Sequence, residues 1–175
     1  MIKNLLPFEE LTYHSTLKKE ALLVHLQNEI EAEKSFGFGT QRISYSKPYI
    51  GKISNPTFEL KRAISYRNSF LPIIKGEIKD DISGSKINVK MGLPDLVKIF
   101  MCIWLGIVFL ASLGTLYTLL YNNGLKEGPF IFIPFVMLFG GVAMVVLGFK
   151  TESKKSITDL EQLLQAKRIQ NNSSH

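Results

Sequence analysis

The sequence predicts a membrane protein: an α+β soluble domain over residues 1–95, followed by a two-helix transmembrane hairpin. Three observations predict it. Two charge-free apolar runs lie in tandem, Ile99 to Tyr121 and Gly128 to Phe149. Only residues 122–127 separate them. Before them, apolar residues recur first at helical spacing and then at every second position. The mean hydropathy is positive, +0.12, because apolar residues concentrate after residue 98; the first half reads as water-soluble. A chain of 175 residues has room for one small folded unit and an anchor, not for two globular domains as well.

At the amino terminus, Pro7, Glu9 and Glu10 interrupt any apolar core, so a signal peptide is not expected. Phe8 to His14 reads as a short strand, and Ser15 or Thr16 as the N-cap of a following helix. Leu22, Leu23, Leu26 and Ile30 fall on one helical face, with Lys18, Lys19, Glu29 and Glu33 on others. This helix is expected to end before Phe36-Gly37-Phe38-Gly39.

From there the period is two. Gln41 to Tyr45 and Tyr49 to Ile53 are candidate strands. Thr57 to Tyr66 alternates Phe58, Leu60, Arg62, Ile64 and Tyr66 against Glu59, Lys61, Ala63 and Ser65. Ile74, Gly76 and Ile78, then Ile87, Val89 and Met91, continue the pattern, with turns at Asn55-Pro56 and Asp80 to Gly84. The expected domain is a strand, a helix, and an antiparallel meander of about five strands with the helix on its apolar face.

The first span is assigned to residues 98–121, the turn to 122–127, and the second span to 128–149. Each apolar run reaches the roughly 20 residues needed to cross a bilayer core. Leu, Ile, Phe and Val, at roughly −0.3 to −0.6 kcal/mol each, outweigh Ser112, Thr115 and Thr118. So short a turn makes the helices antiparallel neighbours. Pro129 suits a first helical turn, and Pro134 is expected to weaken or bend the second helix. Trp104, Tyr117 and Tyr121 are candidate interfacial anchors. Gly106, Ala111 and Gly114 on one helix, and Gly140, Gly141 and Gly148 on the other, are candidate helix-helix contacts, although glycine is also simply common in such helices.

Lys86, Lys90 and Lys98 precede the first span and Lys150, Lys154 and Lys155 follow the second, against Lys126 alone in the turn. The positive-inside rule therefore places both termini in the cytoplasm. The tail, 150–175, contains Thr158-Asp159-Leu160-Glu161, which matches a capping box. Ile157, Leu160, Leu163 and Leu164 give it a short apolar stripe, suited to the soluble domain, the membrane surface or a second copy.

The net charge of +6 is unevenly spread: residues 1–33 carry −3 and residues 34–90 carry +7. Lys75, Lys79, Lys86 and Lys90 lie on alternating positions, as either a solvated sheet face or a contact for anionic lipid headgroups. Their even spacing argues against nucleic acid. Arg62 falls on the apolar face, so it needs a carboxylate partner such as Glu29 or Glu33, or an anionic ligand; Tyr66, Arg67 and Asn68 would complete such a pocket.

The single cysteine, Cys102, excludes an internal disulfide and a cysteine metal cluster. His14 and His25 have no carboxylate at ligand spacing, and no nucleophile elbow, phosphate loop or HExxH is present. No catalytic residue, metal or cofactor is expected. The spans hold no ionisable residue, which argues against a charged relay within one copy.

The segment Gly51 to Ile78, centred on Tyr66-Arg67-Asn68-Ser69-Phe70-Leu71-Pro72, resembles an uncharacterised group of bacterial membrane proteins that join a β-rich domain to membrane helices. The resemblance implies a bacterial inner-membrane location and no activity. The expectation is a non-enzymatic, membrane-anchored binding or regulatory module, with a protein partner or self-association as open alternatives. An oligomeric membrane-perturbing or membrane-sensing effector is the alternative function, and an enzyme on a lipid-like substrate a second alternative.

Overall fold

The computed structural model describes residues 6–33, 45–66, 68–121 and 128–169. The turn 122–127 and Arg67 lie outside them, as does all of the expected strand Gln41 to Tyr45 except Tyr45, which is not in a strand.

Seven strands form one mixed sheet: β1 (Phe8–Ser15), β2 (Ile30–Ala32), β3 (Tyr49–Ser54), β4 (Thr57–Arg62), β5 (Ile73–Asp81), β6 (Gly84–Gly92) and β7 (Ala166–Ile169). Their order is β2-β3-β4-β5-β6-β1-β7, antiparallel throughout except for the parallel β2–β3 pair. Three helices accompany them: α1 (Lys19–Glu29), α2 (Asp95–Tyr121) and α3 (Ile133–Leu163).

Alternation decides which face is covered. Phe58 and Leu60, Ile74 and Ile78, Ile87, Val89 and Met91, and Leu11 and Tyr13 share the inner face and are buried. Leu22, Leu23 and Leu26 of α1 cover part of this face. Phe149, Leu160, Leu163 and Leu164 cover the rest; Phe149 ends the second apolar run and the other three belong to the chain after it. Phe58 stands opposite Gly76, and a Cβ on Gly76 would meet its ring at 2.0 Å.

The tail is thus not a separate helix. α3 begins in the apolar run and continues without a break to Leu163, and β7 then pairs with β1. Its buried positions, Gly141, Val145, Phe149, Glu152, Ser153, Ser156, Leu160 and Leu163, form a single stripe. Thr158 lies inside this helix, where its hydroxyl donates to the Lys154 carbonyl at 3.4 Å; it caps nothing. Gln165 adopts a left-handed φ of 46° and turns the chain into β7.

Three local expectations are corrected. α1 starts after Lys18 and has no side-chain cap. Ser15 ends β1, where its buried hydroxyl donates to the Gln165 carbonyl at 3.0 Å and accepts from the Leu17 amide at 3.3 Å, so it pins two corners together. Ile30 leaves the helix for β2 yet stays buried, because a β-branched residue at that corner reaches the core from either conformation. β4 stops at Arg62, and the described residues between it and β5 lie outside the sheet, with Tyr66 and Phe70 reaching α3.

α2 and α3 pair along Met101, Trp104, Leu105 and Val108 on one side and Gly141 and Val145 on the other. Of the most apolar stretches of α2 and of Pro129–Leu163, only 17% and 11% are buried; Leu110 is 67% and Phe139 71% exposed. A core helix of a soluble protein is mostly buried, and these are not. Both helices are long and apolar enough to cross a membrane. Ser112, Thr115 and Thr118 return their hydroxyls to carbonyls of their own helix at 2.8, 2.9 and 3.1 Å, which satisfies them without water. Pro134 sits at the start of α3 after a 3-10 turn, Pro129–Phe132, where its missing amide interrupts no helical hydrogen bond.

Candidate functional site

The strands fix which end of the sheet adjoins the apolar helices. β6 ends at Gly92, opposite Phe8 and Ile73, and α2 begins three residues later. At this end the sheet grips α3. Lys150, one residue beyond the apolar run, meets Glu9 of β1 at 2.6 Å, with side chains 19% and 28% exposed. Glu9 shares the inner face with Leu11 and Tyr13.

Two residues onward stands Glu152, with its side chain 5% exposed. Its carboxylate accepts from Arg62 Nη1 at 3.0 Å, Tyr66 Oη at 2.6 Å and Lys155 Nζ at 3.5 Å. Burial pushes its pKa up, but the Tyr66 hydrogen bond, Lys155 and Arg62 together outweigh burial and hold it below the ordinary carboxylate range. The same bond to Glu152 raises the pKa of Tyr66. Arg62 also reaches Asp159, two turns further along α3, with Nε to Oδ2 at 3.3 Å.

The inward arginine therefore has carboxylate partners, Glu152 and Asp159 in place of the expected Glu29 or Glu33; Glu33 pairs with Lys61. The reason is topological. The helix that crosses the Arg62 end of the sheet is α3, whose presence there depends on the long return of the tail.

The segment between β4 and β5 completes the grip. Asn68 Oδ1 accepts from the Phe70 amide at 2.9 Å, a local turn that aims the Phe70 ring at α3. A Cβ on Gly148 would meet that ring at 2.9 Å. Gly148 and Glu152 are four residues apart on one face of α3, so Phe70 and Tyr66 hold the helix at two successive turns. Tyr66 and Asn68, expected around a ligand, are thus engaged in a clasp.

The lysines divide by position. Lys75 and Lys90 are direct partners in the β5–β6 register near the helix end, and Lys79 and Lys86 are partners near the far turn. Lys86 lies six positions before Gly92, roughly 20 Å along the strand. Lys75 pairs with Glu59 at 3.3 Å, Lys79 with Glu77 at 3.2 Å and Lys90 with Glu10 at 2.9 Å. This outer face is a ladder of paired charges with an open groove of about 380 Å³.

Of the small residues proposed for helix contact, Gly141 alone lies in it: a Cβ there would sit 2.3 Å from the Trp104 ring. That packing places the Trp104 ring against α3. Gly148 serves Phe70. Gly106, Gly114 and Gly140 have nothing within 4 Å, and Ala111 is exposed, because the contact stripe of α2 runs through Met101, Val108 and Ser112.

Two other constellations gather polar side chains. His14, Ser83 and Asp81 converge at the far turn, with Nε2 at 3.0 Å from the serine hydroxyl and 3.3 Å from the carboxylate. Both contacts use the same nitrogen, so the aspartate does not orient the ring for the serine as a hydrolytic triad requires. A cleft of about 420 Å³ is lined by His25, Glu29, Tyr49, Asp159 and Gln162. Burial, and then the Asp159 carboxylate, push the Tyr49 phenol well above its ordinary pKa, so it stays protonated near neutrality and does not serve as a base. Among the described residues no group of three or more His, Cys, Asp or Glu side chains could hold a metal ion.

Compared with known proteins, the chain matches no family model, no curated protein and no solved structure.

Proposed function

We propose that the chain is an integral membrane protein whose α+β domain stays on the cytoplasmic side and acts as a binding or regulatory module, without catalysis, coupled to the bilayer through α3. The observation that carries this reading is the continuity of α3. One helix runs from an exposed apolar band into the core of the sheet, and its exit is gripped by Glu9, Arg62, Tyr66 and Phe70. A passive anchor needs only a tether. A rigid helix with its far half inside the domain core carries any tilt of the span into the sheet.

The lysine distribution supports a cytoplasmic domain, and placement in a bacterial inner membrane is part of the same proposal. The test is hydrogen exchange on full-length protein in bilayers of short and long acyl chains. The coupled reading expects protection of the amides from Thr151 to Leu163 to change with bilayer thickness. Identical exchange in both bilayers would reduce the hairpin to an anchor.

A second reading, an oligomer that perturbs or senses the membrane, is favoured by Gly106, Gly114 and Gly140, whose open faces would admit another helix. Crosslinking in membranes combined with dye leakage separates the two, since the first reading expects neither ordered oligomers nor leakage.

A further inference from the structure

Between α2 and α3, at the end nearest the sheet, lies a groove of about 750 Å³. Phe100 and Trp104 of α2 form one wall and Met137 and Met144 of α3 the other, with Gly140 and Gly141 as the floor. Ser69 and Phe70, from the loop that clasps α3, close its end towards the soluble domain. We infer that this groove holds one acyl chain of a membrane phospholipid, resting on the membrane reading above and naming the ligand class for it.

Three observations select that occupant. The groove opens sideways between helices whose outward side chains are apolar and exposed, so what reaches it comes from hydrocarbon rather than water. Gly140 removes the side chain that would otherwise fill the floor, and a Cβ there has open space for 4 Å. Unbranched, flexible methionines adapt to a chain of variable shape. No described residue lining the groove is charged, so a free fatty acid would find no partner for its carboxylate, whereas an esterified chain keeps its headgroup outside. Ser69 is the one hydroxyl in the lining and lies at the end where the ester would sit.

The loop gives the occupant a consequence. Phe70 touches both the groove and Gly148, and the same loop carries Tyr66 to Glu152. A chain seated in the groove therefore braces the clasp on α3 from its membrane side.

Trp104 is the only tryptophan of the chain, so its fluorescence reports the groove. Phosphatidylglycerol with brominated acyl chains is titrated into the full-length protein in dodecyl maltoside micelles. The expected result is quenching that saturates at a single lipid per protein. Gly140→Leu, whose Cβ meets nothing within 4 Å and whose side chain occupies the floor, weakens the apparent affinity by about tenfold or more. Gly106→Leu, equally free of neighbours but outside the groove, leaves it unchanged.

Quenching that rises without saturating, or that is equal in Gly140→Leu, would reduce the contact to ordinary surrounding lipid and overturn the proposal. Stronger quenching by a brominated free fatty acid would overturn the assignment to an esterified chain. Dimers in native mass spectra that dissociate as lipid is added, or that Gly140→Leu abolishes, would give the groove to a second copy. Vesicles made wholly of brominated lipid keep the two readings apart. Absence of quenching there refutes membrane insertion itself, while quenching there without saturation in micelles refutes only the groove.

Discussion

Replacing Glu152 with alanine removes the hub of the clasp and leaves Arg62 and Tyr66 without their shared acceptor. Truncating one member of a buried charge pair costs about 3–5 kcal/mol. Two features lower that figure: Arg62 is 24% exposed, and it keeps Asp159 at 3.3 Å. We therefore expect about 2–3 kcal/mol, and for a chain of this size a fall in unfolding midpoint of roughly 5–10 °C. The assay is thermal unfolding of the full-length protein in micelles, followed by near-ultraviolet circular dichroism of the aromatic residues.

A double-mutant cycle with Arg62→Ala isolates the pair and is expected to give a coupling of about 1–3 kcal/mol. Glu152→Gln, which keeps an acceptor for Tyr66 but loses the charge, should fall between wild type and alanine. A coupling indistinguishable from zero, with a midpoint unchanged by Glu152→Ala, would show that the carboxylate is solvated and that nothing grips α3 where it enters the domain.

The same carboxylate sets an acid limit. Its folded pKa is depressed below the unfolded value of about 4.3, so its contribution is complete above that pH and is lost as the pH falls through the depressed value. The gap in midpoint between wild type and Glu152→Gln should be constant near neutrality and narrow below about pH 4; a gap that widens in acid reverses the sign and refutes the assignment. Leu160→Ala, at a fully buried position on the sheet-packed half of α3, should cost about 2–5 kcal/mol, as read from chemical denaturation, whereas a detached tail helix would lose almost nothing. Gly141→Leu drives a side chain into the Trp104 ring and should separate α2 from α3, seen as a shifted Trp104 emission, while Gly114→Leu, with no neighbour in reach, should leave the emission unchanged.

The helical and two-residue periods located most of the soluble domain because Leu22, Leu26, Ile74, Ile78, Ile87 and Val89 each report one local geometry. The apolar runs located α2 and the first part of α3 for the same reason. What the pattern missed is non-local. β7 is four residues long and its order follows from pairing with β1, more than 150 positions away in the chain. Nothing in Ala166 to Ile169 alone announces a strand.

The continuity of α3 did leave a trace. No glycine or proline occurs between Phe149 and Leu163, and Val145, Phe149, Ser153, Ser156, Leu160 and Leu163 keep one helical phase. The change from apolar to charged composition at Lys150 masked it, because a change of side-chain character along one helix reads like a boundary between two elements. Arg62 was legible as an inward charge needing a carboxylate, but its partner was not, since Glu152 lies ninety positions onward. The glycines misled because composition alone does not say which face of a helix is turned to its neighbour.

Labelling of single cysteines on intact bacterial cells tests the topology most directly, in a Cys102→Ser background. Ile82 stands fully exposed at the far turn of the sheet, and Asn123 lies between the two apolar helices. With a membrane-impermeant maleimide, the account predicts that Asn123→Cys is labelled on intact cells and that Ile82→Cys reacts only after lysis. Labelling of Ile82→Cys from outside, or protein that washes free of membranes in alkaline carbonate, would contradict it.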